Sequence, residues 1–232
     1  MSAAGPVRTG DPAVDPVRRV CVFAGARAGV RSVYLEVAQA FGHLLARCGL
    51  GLVYGGSSRG LMGAVATAAR LGGGEVIGIM PEHLLEREAA NPYLADLRIV
   101  RSLHERKLRM AELADAFVAL PGGFGTLDEL FELLTWAQLG LHPTKHVGLL
   151  NVDGYFDPLL AFVQRAVADG FVAPSNADLL IANPDPAGLL AEIVADRRPT
   201  VLQPGGRGRL GARQTSDEGD ARPYSAWRCR WR

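Results

Sequence analysis

Leu120-Pro121-Gly122-Gly123-Phe124-Gly125-Thr126-Leu127-Asp128-Glu129 joins the end of a predicted strand, a run of glycines and a helix start. Backbone N–H groups in such a loop can approach an anion closely, and the positive end of the helix dipole favours negative charge there. The chemistry this pattern suits is phosphate binding. Glu129 lies one turn into the helix, so a carboxylate is carried at a short, fixed distance from whatever bears the phosphate, and a sugar phosphate fits. Thr126 and Glu129 also have the three-residue spacing of a capping box, which would give Glu129 the plainer role of closing a helix end. Yet Gly122, Gly123 and Gly125 at the carboxyl end of a strand exceed what a cap requires, and sheets of this type bind ligands at that end. Glu132 and Thr135 extend a polar stripe up the same helix.

Two earlier turns also join a predicted strand to a predicted helix. Gly25-Ala26-Arg27-Ala28-Gly29 does not match GxGxxG, which argues against a nicotinamide dinucleotide. Gly55-Gly56-Ser57-Ser58-Arg59-Gly60 offers N–H groups and two hydroxyls, and serves equally as a phosphate or ribose contact or as a tight turn with Ser58 near a helix cap. No turn contains Gly-Lys-Ser/Thr, so a Walker-type triphosphate site is absent. His104-Glu105-Arg106-Lys107-Leu108-Arg109 opens the helix before the glycine-loop strand. Such a basic cluster is usually a solvated face, but cations at a helix start oppose the dipole, which points to an anion nearby. The histidines share no ligand spacing, and no metal is expected.

The elements that must position these residues alternate. Strands are predicted at 20–24, 50–54, 75–80, 97–100, 116–120, 146–151 and 179–182. Helices are predicted at 32–48, 60–71, 103–113, 126–139, 155–168 and 187–195, with a loop and helix running through Pro92. This order specifies an α/β fold, a Rossmann-like doubly wound parallel sheet with helices on both faces. At 232 residues and 48% hydrophobic, the chain suits one domain. Residues 19–196 are expected to form it, between disordered segments at 1–18 and 197–232. Net charge +1 argues against a general nucleic-acid binder. The tail from Arg197 carries nine arginines against Asp217, Glu218 and Asp220, a net of +6, which leaves −5 for the rest. Its Trp227-Arg228-Cys229-Arg230-Trp231-Arg232 end could touch RNA or a membrane surface, but composition favours a solvated tail. Three scattered cysteines suggest a reduced cytoplasm, and neither a signal peptide nor a membrane span is read.

Taken together, Gly55-Gly56…Gly60-Leu61-Met62-Gly63, His104-Glu105-Arg106-Lys107…Met110, Pro121-Gly122-Gly123-Phe124-Gly125-Thr126…Glu129 and Thr135-Trp136-Ala137-Gln138-Leu139-Gly140 closely resemble the Lonely Guy family. Those proteins are phosphoribohydrolases of cytokinin riboside 5′-monophosphates, and relatives were long labelled lysine decarboxylases. The similarity runs over about residues 19–194 and extends to Val147-Gly148-Leu149-Leu150-Asn151-Val152-Asp153-Gly154-Tyr155. The resemblance implies a homodimer that cleaves the N-glycosidic bond of an adenine nucleotide to free base and ribose 5-phosphate, with no metal or redox cofactor. It points to Arg106 and Glu129 as catalytic. Glu88, Lys107, Gly123, Phe124, Gly125, Thr126, Leu127, Asp128 and Thr135 carry over as nucleotide contacts, and Gly55, Gly56 and Gly122 join them as substrate-binding residues. One departure stands out: where the family usually has Cys-Gly-Ser-Ser after the first strand, this chain has Ala24-Gly25-Ala26-Arg27. Ser57 in place of a family glycine is milder.

The implied substrate is an N6-prenylated adenosine 5′-monophosphate ahead of AMP. The alternatives are a broader nucleotide nucleosidase, a carrier of a phosphorylated cofactor such as molybdenum cofactor, and an RNA-associated protein acting through the tail. Retention of both Arg106 and Glu129 argues for catalysis over carriage. Lysine decarboxylation needs an electron sink such as pyridoxal phosphate on a lysine Schiff base, and Lys107 and Lys145 are the only lysines.

Overall fold

Four short, uninterrupted apolar runs form the middle of the sheet, as expected for parallel strands covered on both faces. In the computed structural model, which describes residues 16–142 and 147–195, β1 (Arg19–Phe23) lies between β2 (Gly51–Tyr54) and β5 (Ala116–Ala119), with β6 (Val147–Leu150) beyond β5. β3 (Val76–Pro81) and β4 (Asp96–Val100) extend one side and β7 (Leu180–Asn183) the other, giving the all-parallel order β4-β3-β2-β1-β5-β6-β7. Strand order reverses between β1 and β5, so their carboxyl ends flank the crevice where such sheets take ligands.

Alternate residues of each strand enter opposite cores. Val20, Val22, Leu52, Tyr54 and Val118 pack under α1 (Ser32–Arg47), α2 (Gly60–Leu71) and α7 (Pro186–Ala195). Cys21, Phe23, Val53, Ile77 and Phe117 pack under α3 (Leu103–Leu113) and α4 (Phe124–Gln138). Each fully buried Leu, Ile or Phe side chain contributes about 1.5–3 kcal/mol. At Gly42 a Cβ would sit 2.3 Å from the Val65 carbonyl oxygen, so only glycine lets α1 and α2 approach so closely. α5 (Asp157–Ala168) and the single turn α6 (Pro174–Ala177) connect β6 to β7.

Most predicted elements match within two residues, with two corrections that matter. Between β3 and β4 the chain forms one 3-10 turn, Glu82–Leu84, and then an irregular loop instead of a helix through Pro92. That loop is held by the Gly55–Ser58 turn, whose partners sequence periodicity does not disclose. α4 starts at Phe124, two residues earlier than predicted, so Thr126 is not its N-cap and the Thr126–Glu129 capping box does not form. The genuine cap belongs to α3, where Ser102 Oγ accepts from the Glu105 N–H (3.1 Å) and the Glu105 carboxylate accepts from the Arg101 N–H (2.9 Å). Pro16–Arg18 precede β1, with the Arg18 N–H donating to Asp115 at 2.8 Å. The rest of the expected N-terminal segment and the whole 197–232 tail lie outside the described residues.

Candidate active site

The glycine loop leaves β5 and turns into α4 with no side chain capping the helix, so its first-turn N–H groups remain open to an anion. Gly122 must be glycine: a Cβ there would lie 2.1 Å from Thr126 Oγ1, and Thr126 is buried. The loop is fixed from both sides. Gly25 N–H donates to the Pro121 carbonyl (3.1 Å), and Tyr155 Oη donates to the Gly122 carbonyl (2.6 Å). Tyr155 packs edge-on against Tyr34, whose ring Arg31 covers at 5.7 Å. Arg31 in turn pairs with Asp153, a non-glycine residue in the left-handed region at φ 50°.

Arg106 enters from the start of α3. Its side chain is only 7% exposed, and Nη2 donates to the Gly55 carbonyl at 3.1 Å. The same Nη2 lies 3.8 Å from Glu88 Oε2 and 4.0 Å from Glu129 Oε1. The anions that attract this helix-start cation are therefore two carboxylates of the protein. Arg106 Nε and Glu88 Oε2 are buried without a hydrogen-bond partner. Unsatisfied groups of this kind cost free energy unless a ligand or water meets them. Burial pushes the Glu129 carboxyl up to about 7, against the Arg106 charge that favours ionisation; Asp128 and Glu88 push it the same way as burial.

Glu88 reaches the site through backbone that the second turn grips. Ser57 Oγ donates to the Glu88 carbonyl (2.6 Å), Ser58 N–H and Oγ both donate to the Ala89 carbonyl (2.9 Å each), and Asn91 N–H donates to the Gly56 carbonyl (2.9 Å). The two hydroxyls, offered by the sequence as phosphate contacts or as a cap, are spent on this loop.

A cavity of about 490 Å³, within the range of small-ligand sites, is lined by Glu88, Arg106, Gly122, Gly123, Gly125, Thr126 and Glu129. These seven predicted residues are brought together. Gly55 stands behind Arg106 and Gly56 against Met80 and Leu97, both outside the lining. Lys107 is turned away: its Nζ lies 3.0 Å from Asp128 and 2.7 Å from Glu132, bracing α3 against α4. Burial lowers its basicity, but the two carboxylates more than compensate and the net direction is upward. Thr135 Oγ1 donates to the Phe131 carbonyl (2.7 Å), Leu127 packs in the core under α4, and Phe124 is 93% exposed. Arg27, Tyr34, Leu61, Met62 and Tyr155 also line the cavity. Arg27 is marked in the sequence by its departure from the family pattern and Leu61, Met62 and Tyr155 fall within the resemblance motifs, but lone aromatics and apolar helix residues read by type as core. Among the described residues no cluster of three His, Cys, Asp or Glu could hold a metal ion, and no helix is long and apolar enough to cross a membrane.

An uncapped glycine loop, a buried carboxylate with a pKa near neutrality and a guanidinium between two carboxylates can bind an anion and stabilise positive charge beside it. Comparison with known proteins agrees with that chemistry. The family model described as "Possible lysine decarboxylase" matches residues 62–193. A protein of Oryza sativa subsp. japonica named a probable cytokinin riboside 5′-monophosphate phosphoribohydrolase, LOGL9, is 53% identical over 176 residues, 76% of this chain and 77% of that one. The Arabidopsis thaliana cytokinin riboside 5′-monophosphate phosphoribohydrolase LOG3 is 47% identical over 76% of this chain and 81% of its own length. Among solved structures, the molybdenum cofactor carrier protein of Chlamydomonas reinhardtii shares the fold, with TM-score 0.56 and 23% identity over 76% of this chain and 95% of its own. On the strength of the family match and these relatives, the chain belongs to the Lonely Guy (LOG) family.

Proposed function

We propose that the protein hydrolyses the N-glycosidic bond of cytokinin nucleotides, N6-modified adenosine 5′-monophosphates, to the free base and ribose 5-phosphate. The observation that carries this is the buried Glu129 carboxylate, 4.0 Å from Arg106, in the same cavity as the uncapped loop before α4. The loop N–H groups take the 5′-phosphate. As the bond between the base and the ribose C1′ breaks, its electron pair leaves with the base and positive charge grows on the ribose. Ionised Glu129 stabilises that charge and orients a water, whose oxygen bonds to C1′ while its protons are shared between product and base. Glu88 accepts from ribose hydroxyls through its unpartnered oxygen. Arg106 holds the two carboxylates at their spacing. No lining residue is a lysine, which leaves pyridoxal chemistry without an anchor in this cavity.

Chromatographic measurement of free base from prenyl-adenosine monophosphate, AMP and the matching riboside tests this. Release from the nucleotides and not from the riboside supports it. Tight nucleotide binding with no release would replace it with a carrier.

The pH dependence follows from Glu129. If its ionised form is the reactive one, kcat rises about tenfold per pH unit up to about pH 7 and levels above it. A kcat that stays flat down to pH 5 would remove the carboxylate from this role.

The assembly we propose is a homodimer in the cytoplasm. α4 presents Phe124 and Phe131 to solvent, Leu139 and Leu141 follow exposed, and α5 adds an exposed Phe162. A second copy would cover such a face. Sedimentation equilibrium should give twice the 24.7 kDa chain mass, with Phe131→Glu shifted toward that single mass; wild type at 24.7 kDa would end the dimer reading. The exposed free thiol of Cys48 suits a reducing compartment.

A further inference from the structure

Four charged side chains line the cavity: Arg27, Arg106, Glu88 and Glu129. Arg106 is committed to the two carboxylates, at 3.8 and 4.0 Å. Arg31, outside the lining, pairs with Asp153 and lies over the ring of Tyr34, which does line the cavity. Arg27 is exposed and forms no ion pair with any described residue. With Glu129 ionised, the lining is neutral with Arg27 and carries −1 without it, a charge that would repel an incoming phosphate.

The backbone that bears Arg27 is fixed. Gly25 N–H bonds to Pro121 of the glycine loop, while the Leu61 and Met62 N–H groups at the start of α2 both donate to the Gly25 carbonyl (2.9 and 3.3 Å). Gly60, at φ +57°, presses against the turn so closely that a Cβ would lie 2.4 Å from the Ala26 carbonyl carbon. The guanidinium thus springs from a braced turn bonded to the loop that seats the anion. Its fork geometry suits phosphate oxygens.

We propose that Arg27 is the counter-ion of the substrate's 5′-phosphate, which makes the site select phosphorylated over unphosphorylated nucleosides and hold the product ribose 5-phosphate. This rests on the hydrolase reading above and deepens it by naming the residue that reads the phosphate charge. The discrimination sits on a turn that contributes nothing to the bond-breaking step.

The test compares wild type, Arg27→Gln and Arg27→Lys in two assays: base release from prenyl-adenosine monophosphate and its riboside, and calorimetric titration with ribose 5-phosphate. In Arg27→Gln, the Kd for ribose 5-phosphate and the KM for the nucleotide should each rise about tenfold, and the nucleotide-to-riboside ratio of kcat/KM should fall by a similar factor. Arg27→Lys should lie between. Raising salt should weaken nucleotide binding by wild type more steeply than by Arg27→Gln, a difference that a merely structural role would not produce. Unchanged Kd, KM and salt slope in Arg27→Gln, with wild type active, would overturn the assignment and leave the hydrolase reading intact. Wild type that binds ribose 5-phosphate but releases no base would overturn the hydrolase reading instead, and the titrations would still decide the role of Arg27.

Discussion

Glu129→Gln should lower kcat for nucleotide hydrolysis by about a thousandfold, the scale on which removal of a positioned carboxylate or charge stabiliser acts. The amide keeps the shape of the side chain but can neither stabilise the developing ribose cation nor take a proton from water. Binding of ribose 5-phosphate should stay within about threefold of wild type, since neither proposed phosphate contact, the loop before α4 or Arg27, is changed. Single-turnover base release and a parallel titration separate the two effects; a variant retaining a tenth of wild-type kcat would show that the chemistry does not run through Glu129.

The same substitution has a signature in stability. Burial raises the carboxyl from 4.5 to about 7 in the folded protein, so between those values the folded state binds more protons than the unfolded one. The stability contributed by this group is full below about pH 4.5 and is lost as pH rises through 7, a difference on the order of 3 kcal/mol. Glutamine never ionises. Denaturant unfolding should therefore find Glu129→Gln more stable than wild type at pH 8, with the gap closing toward pH 5.

Gly55→Ala should cut kcat by about a hundredfold without touching substrate, through displacement of a charged group. A Cβ at this position would fall 1.9 Å from Arg106 Nη2 and 3.1 Å from Met62 Sδ. The guanidinium is the part that can yield, and in yielding it leaves both Glu88 and Glu129. Their mutual repulsion then has no counter-charge, so the kcat profile of Gly55→Ala should shift to higher pH than wild type. Arg106→Ala gives the reference phenotype. Wild-type kcat in a folded Gly55→Ala protein would mean that the position of the guanidinium is not critical.

The two variants also mark what the sequence made legible. The glycine loop and Glu129 could be read directly, because a strand end, glycines and a carboxylate one turn into a helix are local features. The parallel sheet and its two helical layers followed from alternation, whereas the strand order comes from the structure. The partition between Arg106 and Lys107 did not. Neighbours on a helix are about 100° apart, so one basic residue enters the cavity while the next braces Asp128 and Glu132, and no local pattern says which. Glu88 was visible only through the family resemblance, since the loop that carries it has no periodicity and is placed by Ser57 and Ser58, about thirty residues away. A hydroxyl three residues before a carboxylate imitates a cap, which puts the predicted helix start at Thr126, two residues late. The real first turn begins with Phe124 and leaves its N–H groups free for a ligand.

The turn after β1 is braced through its backbone, while its side chains at Ala26 and Arg27 point away from either core. Hydroxyls, methyls or a guanidinium can therefore be exchanged there at little cost to folding, whereas every change at Gly55, Gly122 or Thr126 disturbs packing. Ligand preference in such a scaffold can drift independently of the bond-breaking machinery. The proposed catalytic pair can stay in place while substitutions in this turn retune what it is allowed to cut.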